Sequence, residues 1–320
     1  MSEPSLRPPV AWIIFNRANY AREVFAAIRA ARPERLYVIA DGPRADRPDD
    51  HQTCAAARAL VDGVDWPCQV RRDFAETNLG SGRRIASGLA WVFAEETEAI
   101  VLEDDFVPHP DFFRYCAELL ERYRDDPRVA TIGGANFLAH LQDFPAEESY
   151  FFSRYYSIAG WASWRRAWKN FDYEMRGWPE FKRRGLLQQI YADPYVRHYF
   201  DYAWEQCAQG QRPDVWDFHW MFACASNHGL CAVPRVNLTQ HIGVVGTHSA
   251  QLSPNDHLPI ASLYDGAPAL RHPRFMLPNP AYDVPFFERN FHPASIRTPW
   301  GRTKRRLRGA WEVLQGRPVR

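Results

Sequence analysis

Ala99-Ile100-Val101-Leu102-Glu103-Asp104-Asp105 is a short apolar run that ends in three consecutive acids. A run this short, apolar throughout and bounded by charge, reads as a strand buried on both faces. Three carboxylates in a row repel one another and lose hydration where the strand ends, so something must compensate them. A divalent cation such as Mg²⁺ or Mn²⁺ would do so, because these ions take oxygen ligands and are commonly held by one or two carboxylates plus substrate phosphates. The alternative is a solvated loop, or a cap on the next helix. Pro108 and Pro110 argue against capping, because they move the helix start away from the acids.

Outward from this run, strands and helices alternate. Residues 10–15 form a second apolar run, and Tyr20, Val24, Phe25 and Ile28 then recur at helical spacing, with Pro33 beyond them. Residues 36–40 read as a strand broken by Asp41-Gly42-Pro43, and a weaker helix covers about 51–61. Residues 68–74 read as a third strand. The turn at 78–82 leads into a helix through Ile85, Leu89 and Phe93. A helix at about 110–123 and a strand at 128–132 follow the acids. Strands separated by helices need crossover connections, which predicts an α/β fold: a mostly parallel, twisted sheet flanked by helices. Ligands of such sheets bind outside the carboxyl ends of the strands. Asn16-Arg17, Asp41-Gly42 and Glu103-Asp104-Asp105 should therefore meet at one edge. Residues 150–220 are dense in Trp, Tyr and Arg, prolines thicken from about 253, and residues 300–320 are strongly basic.

The 320 residues suffice for one large domain or two small ones, and 46% apolar content excludes wholesale disorder. Lys+Arg at 39 against Asp+Glu at 38 gives no reason to expect a nucleic-acid partner. The 12 Trp, 14 Tyr and 20 Phe suit sugar rings, although most should simply fill the core. No stretch is long enough to cross a bilayer, and the first nine residues lack the pattern of a signal peptide. The six cysteines contain no Cys-x-x-Cys pair and read as free thiols. Together these features point to a cytoplasmic protein.

Several further residues are candidates for chemistry. Arg17 could pair with a phosphate or a base, and Asp41 with a uracil or a ribose, although Asp-Gly-Pro is also a common turn. Residues 78–84 resemble a phosphate-facing turn at a helix start, with Arg83 and Arg84 close by. Trp216-Asp217, with Trp220, sets a carboxylate beside aromatic rings, where it could be tuned as a general base or could cap a helix starting at Phe218. His241 and His248 lie in a glycine-containing loop, where either could meet a metal or a phosphate.

The run from Ala11 to Gly42, then Asn78-Leu79-Gly80, then Leu102-Glu103-Asp104-Asp105, resembles glycosyltransferases of the GT-A fold. The pattern is similar to bacterial family-2-like enzymes, including those labelled haemolysin-like, and to the N-acetylglucosaminyltransferase I family. Ala159-Gly160-Trp161-Ala162-Ser163-Trp164 looks like the acceptor-side segment, Trp216-Asp217 like the catalytic-base motif, and Thr247-His248-Ser249 like the late His loop. No single motif is specific, but the ordered set spans about residues 10–250.

The resemblance implies that Arg17 and Asp41 hold the nucleotide, a uridine, with Arg83 and Trp161 also on the nucleotide-sugar. It implies that Asp105 is the metal-directed acid, that Asp104 and Glu103 contact ribose or sugar, that Asp217 is the base and that His248 lies near the diphosphate. It further implies residues 1–135 as the nucleotide-sugar half, 136–275 as the acceptor half and 276–320 as a C-terminal extension. The expected activity is an inverting, metal-dependent transfer to a glycan or lipid-linked acceptor in cell-surface polysaccharide synthesis.

The N-terminal membrane anchor of the eukaryotic members is not expected here. Trp300, Leu307, Trp311 and Leu314, set among five basic residues, could dock on anionic lipid or could be a solvated tail. The alternative functions are a sugar nucleotidyltransferase and a non-catalytic carbohydrate-binding protein.

Overall fold

The structure, a computed structural model, describes residues 8–144, 147–243 and 257–291. His248 and the basic segment 300–320 lie outside the described residues. The first half runs β1 (Val10–Ile14), α1 (Ala18–Ala31), β2 (Arg35–Ala40), α2 (Asp50–Ala59), β3 (Gln69–Phe74), α3 (Ser81–Glu95), β4 (Glu98–Glu103), β5 (Phe106–Pro108) and α4 (Pro110–Arg122). The second half runs β6 (Val129–Gly133), β7 (Tyr150–Ser153), β8 (Trp161–Trp164), α5 (Arg165–Trp168), α6 (Trp178–Arg183), α7 (Leu187–Ile190), α8 (Pro194–Ala208), α9 (Asp217–Ala225), β9 (Leu230–Pro234), β10 (Thr239–His241) and α10 (Pro280–Asn290).

Eight strands form one sheet in the order β3-β2-β1-β4-β8-β6-β9-β7, while β5 and β10 pair separately. The expected α/β architecture is present, with a Rossmann-like half in which β3, β2, β1 and β4 are mutually parallel. The other half is mixed: β8 is antiparallel to β4 and to β6, β9 is parallel to β6, and β7 is antiparallel to β9. The two halves therefore share one hydrogen-bonded sheet.

Alternation along β1 sends Ala11 and Ile13 to one face and Val10, Trp12 and Ile14 to the other, and β4 divides in the same way. The first face is covered by α3, α8, α9 and α10, and the second by α1 and α4. Burial on both faces explains why these strands read as continuous apolar runs. Trp12, Trp161, Trp164, Trp178, Trp204 and Trp220 are all fully buried, so these six indoles are core. Tyr282, Phe286 and Phe287 of α10 join that core, which ties the start of the C-terminal segment to the sheet.

The strand order reverses beside β1. The chain moves outward through β2 and β3, then returns to place β4 on the other side of β1. The carboxyl ends of β1 and β4 thus flank a switch point, where the two following loops diverge and leave a crevice.

Candidate functional site

The crevice is a cleft of about 450 Å³ lined by Phe15, Arg17, Asp41, Arg44, Asn78, Gly80, Ser81, Arg84, the three acids, Asp214, His241 and Gly243, among others. Arg17 follows β1 and occupies the N-cap position of α1 with non-helical backbone angles. Its guanidinium bridges the acids that follow β4. Nε and Nη2 donate to Asp104, and Nη1 lies 2.9 Å from Asp105 Oδ2. From the far side, His241 Nε2 lies 3.2 Å from the same Asp105 oxygen. Pairing of β10 with β5 holds it there, setting His241 opposite Phe106 with the rings stacked 4.8 Å apart. Gly243 roofs the pair: a Cβ there would lie 2.8 Å from Asp105 Oδ2 and 3.0 Å from His241 Nε2. Arg17 and His241 thus partner two of the three adjacent acids, Asp104 and Asp105. The acids do not cap α4, whose N-cap is His109, accepting from the Asp111 backbone N–H at 3.1 Å.

The three acids differ in character. Burial, and then the charges of Asp105 and Asp104, push the Glu103 carboxyl up to about 8; Arg17 opposes this and Asp217 adds to it. Burial raises the Asp104 carboxyl to about 6 against the pull of Arg17. Burial also works against the ionised Asp105, but the His241 hydrogen bond and the Arg17 charge outweigh it and hold that carboxyl below its usual range. Asp105 is therefore the firmly ionised member at neutral pH. The effect of Asp217 on Glu103 places the start of α9 within electrostatic reach of the acids.

Opposite the acids, α3 begins. Gly80, at φ +78°, is its N-cap and, as a glycine, supplies no side-chain cap. The N–H groups of a helix start attract anions. The adjacent loop is fixed by Ser81 Oγ donating to the Asp214 carbonyl at 2.7 Å and Tyr173 OH donating to the Pro213 carbonyl at 2.6 Å. Asp41 anchors the turn before α3. Its Oδ1 accepts from the Gly42 and Leu79 N–H groups at 2.8 and 2.9 Å, and its Oδ2 from Asn78 Nδ2 at 3.0 Å. Arg44 pairs with Asp50 at 2.6 Å and lies over the Phe15 ring, linking the loops after β1 and β2. Arg84 is a buried strut that donates to the carbonyls of Ala40 (3.1 Å) and Asp73 (2.5 Å) and so ties the carboxyl ends of β2 and β3.

No family model and no curated protein matches this sequence. Among solved structures, the chain is similar to a mannosyltransferase from Pyrobaculum calidifontis, PcManGT, in complex with GDP-Man and Mn²⁺. The identity is 15%, with 52% of this chain and 47% of that chain covered and a TM-score of 0.38. It is also similar to a UDP-glucose pyrophosphorylase complexed with UDP-glucose, at 10% identity, covering 51% of this chain and 79% of that one, with a TM-score of 0.27. The chain spans about half the length of the mannosyltransferase it matches. With TM-scores below 0.5, the functional reading rests on the site's own geometry.

The cleft brings together Arg17, Asp41, Glu103, Asp104 and Asp105 of the residues expected from sequence. Arg83 is exposed on α3, and its neighbour Arg84 lines the cleft. Helical phase could have separated them, because Arg83 falls with the exposed Ser87 and Ala90, whereas Arg84 stands one turn before the buried Gly88. Trp161 is fully buried in β8, its ring centroid 5.7 Å from those of Trp216, on which it stacks, and Trp220, to which it is tilted, so it buttresses the segment leading to Asp217. Asp217 is the first residue of α9, with Trp216 as N-cap and no side-chain cap hydrogen bond. Arg44, Asn78 and Asp214 also line the cleft; Asn78 opens the 78–84 turn already singled out from sequence, Arg44 is signalled only by its nearness to Asp41-Gly42, and Asp214 carries no local signal.

A divalent cation fits this site in part. Among the described residues, no three His, Cys, Asp or Glu side chains gather closely enough to hold an ion alone. Asp105 and His241 offer two ligands side by side, and a cation of this class takes its remaining ligands from substrate phosphates and water.

Proposed function

We propose that the cleft binds a nucleotide-sugar, with uridine as the nucleoside, and that the protein is an inverting, metal-dependent glycosyltransferase. The observation that carries this reading is the bridged acid cluster at the switch point, in one cleft with the glycine-led start of α3. A cation held by Asp105 and His241 would neutralise the diphosphate leaving group. The α3 N–H groups and Arg17 would bind phosphate oxygens, Glu103 and Asp104 would take hydroxyls of ribose or sugar, and Asp41 would hold the loop against the base.

Asp217 would accept the proton of the acceptor hydroxyl as its oxygen bonds to the anomeric carbon. The bond from that carbon to the diphosphate oxygen breaks, and its electron pair leaves with the nucleoside diphosphate. Residues 1–135 would form the donor half, 136–275 the acceptor half and 276–320 an extension. The acceptor would be a hydroxyl of a glycan or lipid-linked acceptor in cell-surface polysaccharide synthesis. Among the described residues no helix is long and apolar enough to cross a membrane. Docking of the basic tail on anionic lipid would be checked by vesicle co-sedimentation of the full chain against one ending at residue 291.

The alternative, a nucleotidyltransferase, would want glycines in the first loop to admit a triphosphate. Here that loop is Phe15-Asn16-Arg17-Ala18-Asn19, which contains no glycine. The deciding experiment titrates UDP, and GDP in parallel, into the protein with and without Mn²⁺, and repeats the titration on Asp105→Ala. Metal-dependent binding that the variant loses supports the reading, and no binding of either nucleotide in any condition refutes it. Release of nucleoside diphosphate from a donor marks a glycosyltransferase, and release of inorganic diphosphate marks the alternative.

A further inference from the structure

Asp105 Oδ2 is the oxygen best placed to meet a cation, yet it is already occupied on two sides, by Arg17 Nη1 at 2.9 Å and His241 Nε2 at 3.2 Å. The remaining Arg17 nitrogens are spent on both oxygens of Asp104. One guanidinium therefore fills the position of the charge that a metal would bring. Asp104 and Asp105 are nearly buried, whereas the Arg17 side chain keeps 25% of its surface open to the cleft. Its backbone is outside the helix, and its carbonyl still accepts the first helical hydrogen bond, from the Ala21 N–H at 3.0 Å. The side chain can thus swing without unwinding α1. Its natural second partner is a phosphate, which matches the planar fork as a carboxylate does.

We propose that Arg17 is an exchangeable counter-ion that couples metal binding to nucleotide binding. In the empty cleft it holds Asp104 and Asp105 together and competes with a cation for Asp105 Oδ2. When a nucleoside diphosphate enters, the guanidinium moves to its phosphates and releases that oxygen. The metal alone then binds weakly, the nucleotide alone binds weakly, and each strengthens the other by the same factor, because the coupling is reciprocal. This inference rests on the proposed donor site and adds an order to its filling. Arg17 acts here as a positioning residue, and the effect is read in binding without turnover.

The experiment follows Mn²⁺ binding to metal-stripped, full-length protein by calorimetry and by the electron paramagnetic resonance of free Mn²⁺, with and without saturating UDP or GDP. In the unaltered protein nucleotide should tighten Mn²⁺ binding by about 10-fold or more, within the usual range for coupled sites. In Arg17→Met, Mn²⁺ alone should bind roughly 10-fold tighter than in the unaltered protein, and the gain from nucleotide should shrink by about the same factor, leaving only what direct phosphate ligation of the cation supplies. Mn²⁺ should also raise the melting temperature of Arg17→Met more than that of the parent. If the methionine variant does not fold, Arg17→Lys, which keeps the charge but loses the planar fork that grips both oxygens of Asp104 while reaching Asp105, should give an intermediate gain in Mn²⁺ affinity. If Mn²⁺ and nucleotide bind the unaltered protein but neither folded variant gains affinity for Mn²⁺ alone, Arg17 is a permanent strut and the inference fails, while the donor site stands. If no Mn²⁺ binds under any nucleotide, both fail.

Discussion

Glu103→Gln removes the carboxyl that holds its proton most tightly in the cleft while keeping its shape. In the folded chain this group releases its proton near pH 8, whereas its unfolded value is 4.5. The folded state therefore binds more protons than the unfolded state between these values. Stability is fully expressed below about pH 4.5 and declines as pH rises through 8. At about 1.4 kcal/mol for each tenfold difference in proton affinity, the full effect approaches 5 kcal/mol. Glu103 is partly accessible from the cleft, so solvent relaxation should leave roughly 2–3 kcal/mol.

Asp104, raised to about 6, adds a smaller decline in the same direction over lower pH and is present in both proteins. Asp105, held low, acts only in acid. Urea unfolding of the parent and Glu103→Gln in chelator, from pH 5 to 9, should give curves that nearly coincide at pH 5. By pH 9 they should separate by roughly 2–3 kcal/mol, with the variant the more stable. Parallel curves would show that the carboxyl is ionised without penalty and would refute the account of the acid cluster.

Arg84→Met removes charged donors from the carbonyls of Ala40 and Asp73 in a buried position. At about 1.5–3 kcal/mol per charged hydrogen bond, a loss of roughly 3–6 kcal/mol is expected in urea unfolding. A loss under about 1 kcal/mol would mean that Arg84 does not brace the strand ends. Asp217→Asn should leave donor binding within about 3-fold while transfer falls roughly 10²–10⁴-fold, the usual cost of a lost general base. Near-normal turnover would remove Asp217 from that role.

The parallel half of the fold was legible because its signals are local. Doubly buried strands are apolar throughout and amphipathic helices repeat on a fixed period, so β1 to β4 and α1 to α4 agree with the sequence to within a residue or two. The meeting of Arg17, Asp41 and the three acids was legible too, since crossover connections send every parallel strand's carboxyl end to the same edge. The mixed second half, with β8 inserted between β4 and β6, left no such mark, because strand neighbours are chosen by packing across the whole sheet. The sequence alone determined that three acids end a buried strand and must be compensated. Only the tertiary structure decided what compensates them. Arg17 lies 87 residues away and His241 lies 136 residues away, each brought in by a strand pairing whose energy is spread over many residues.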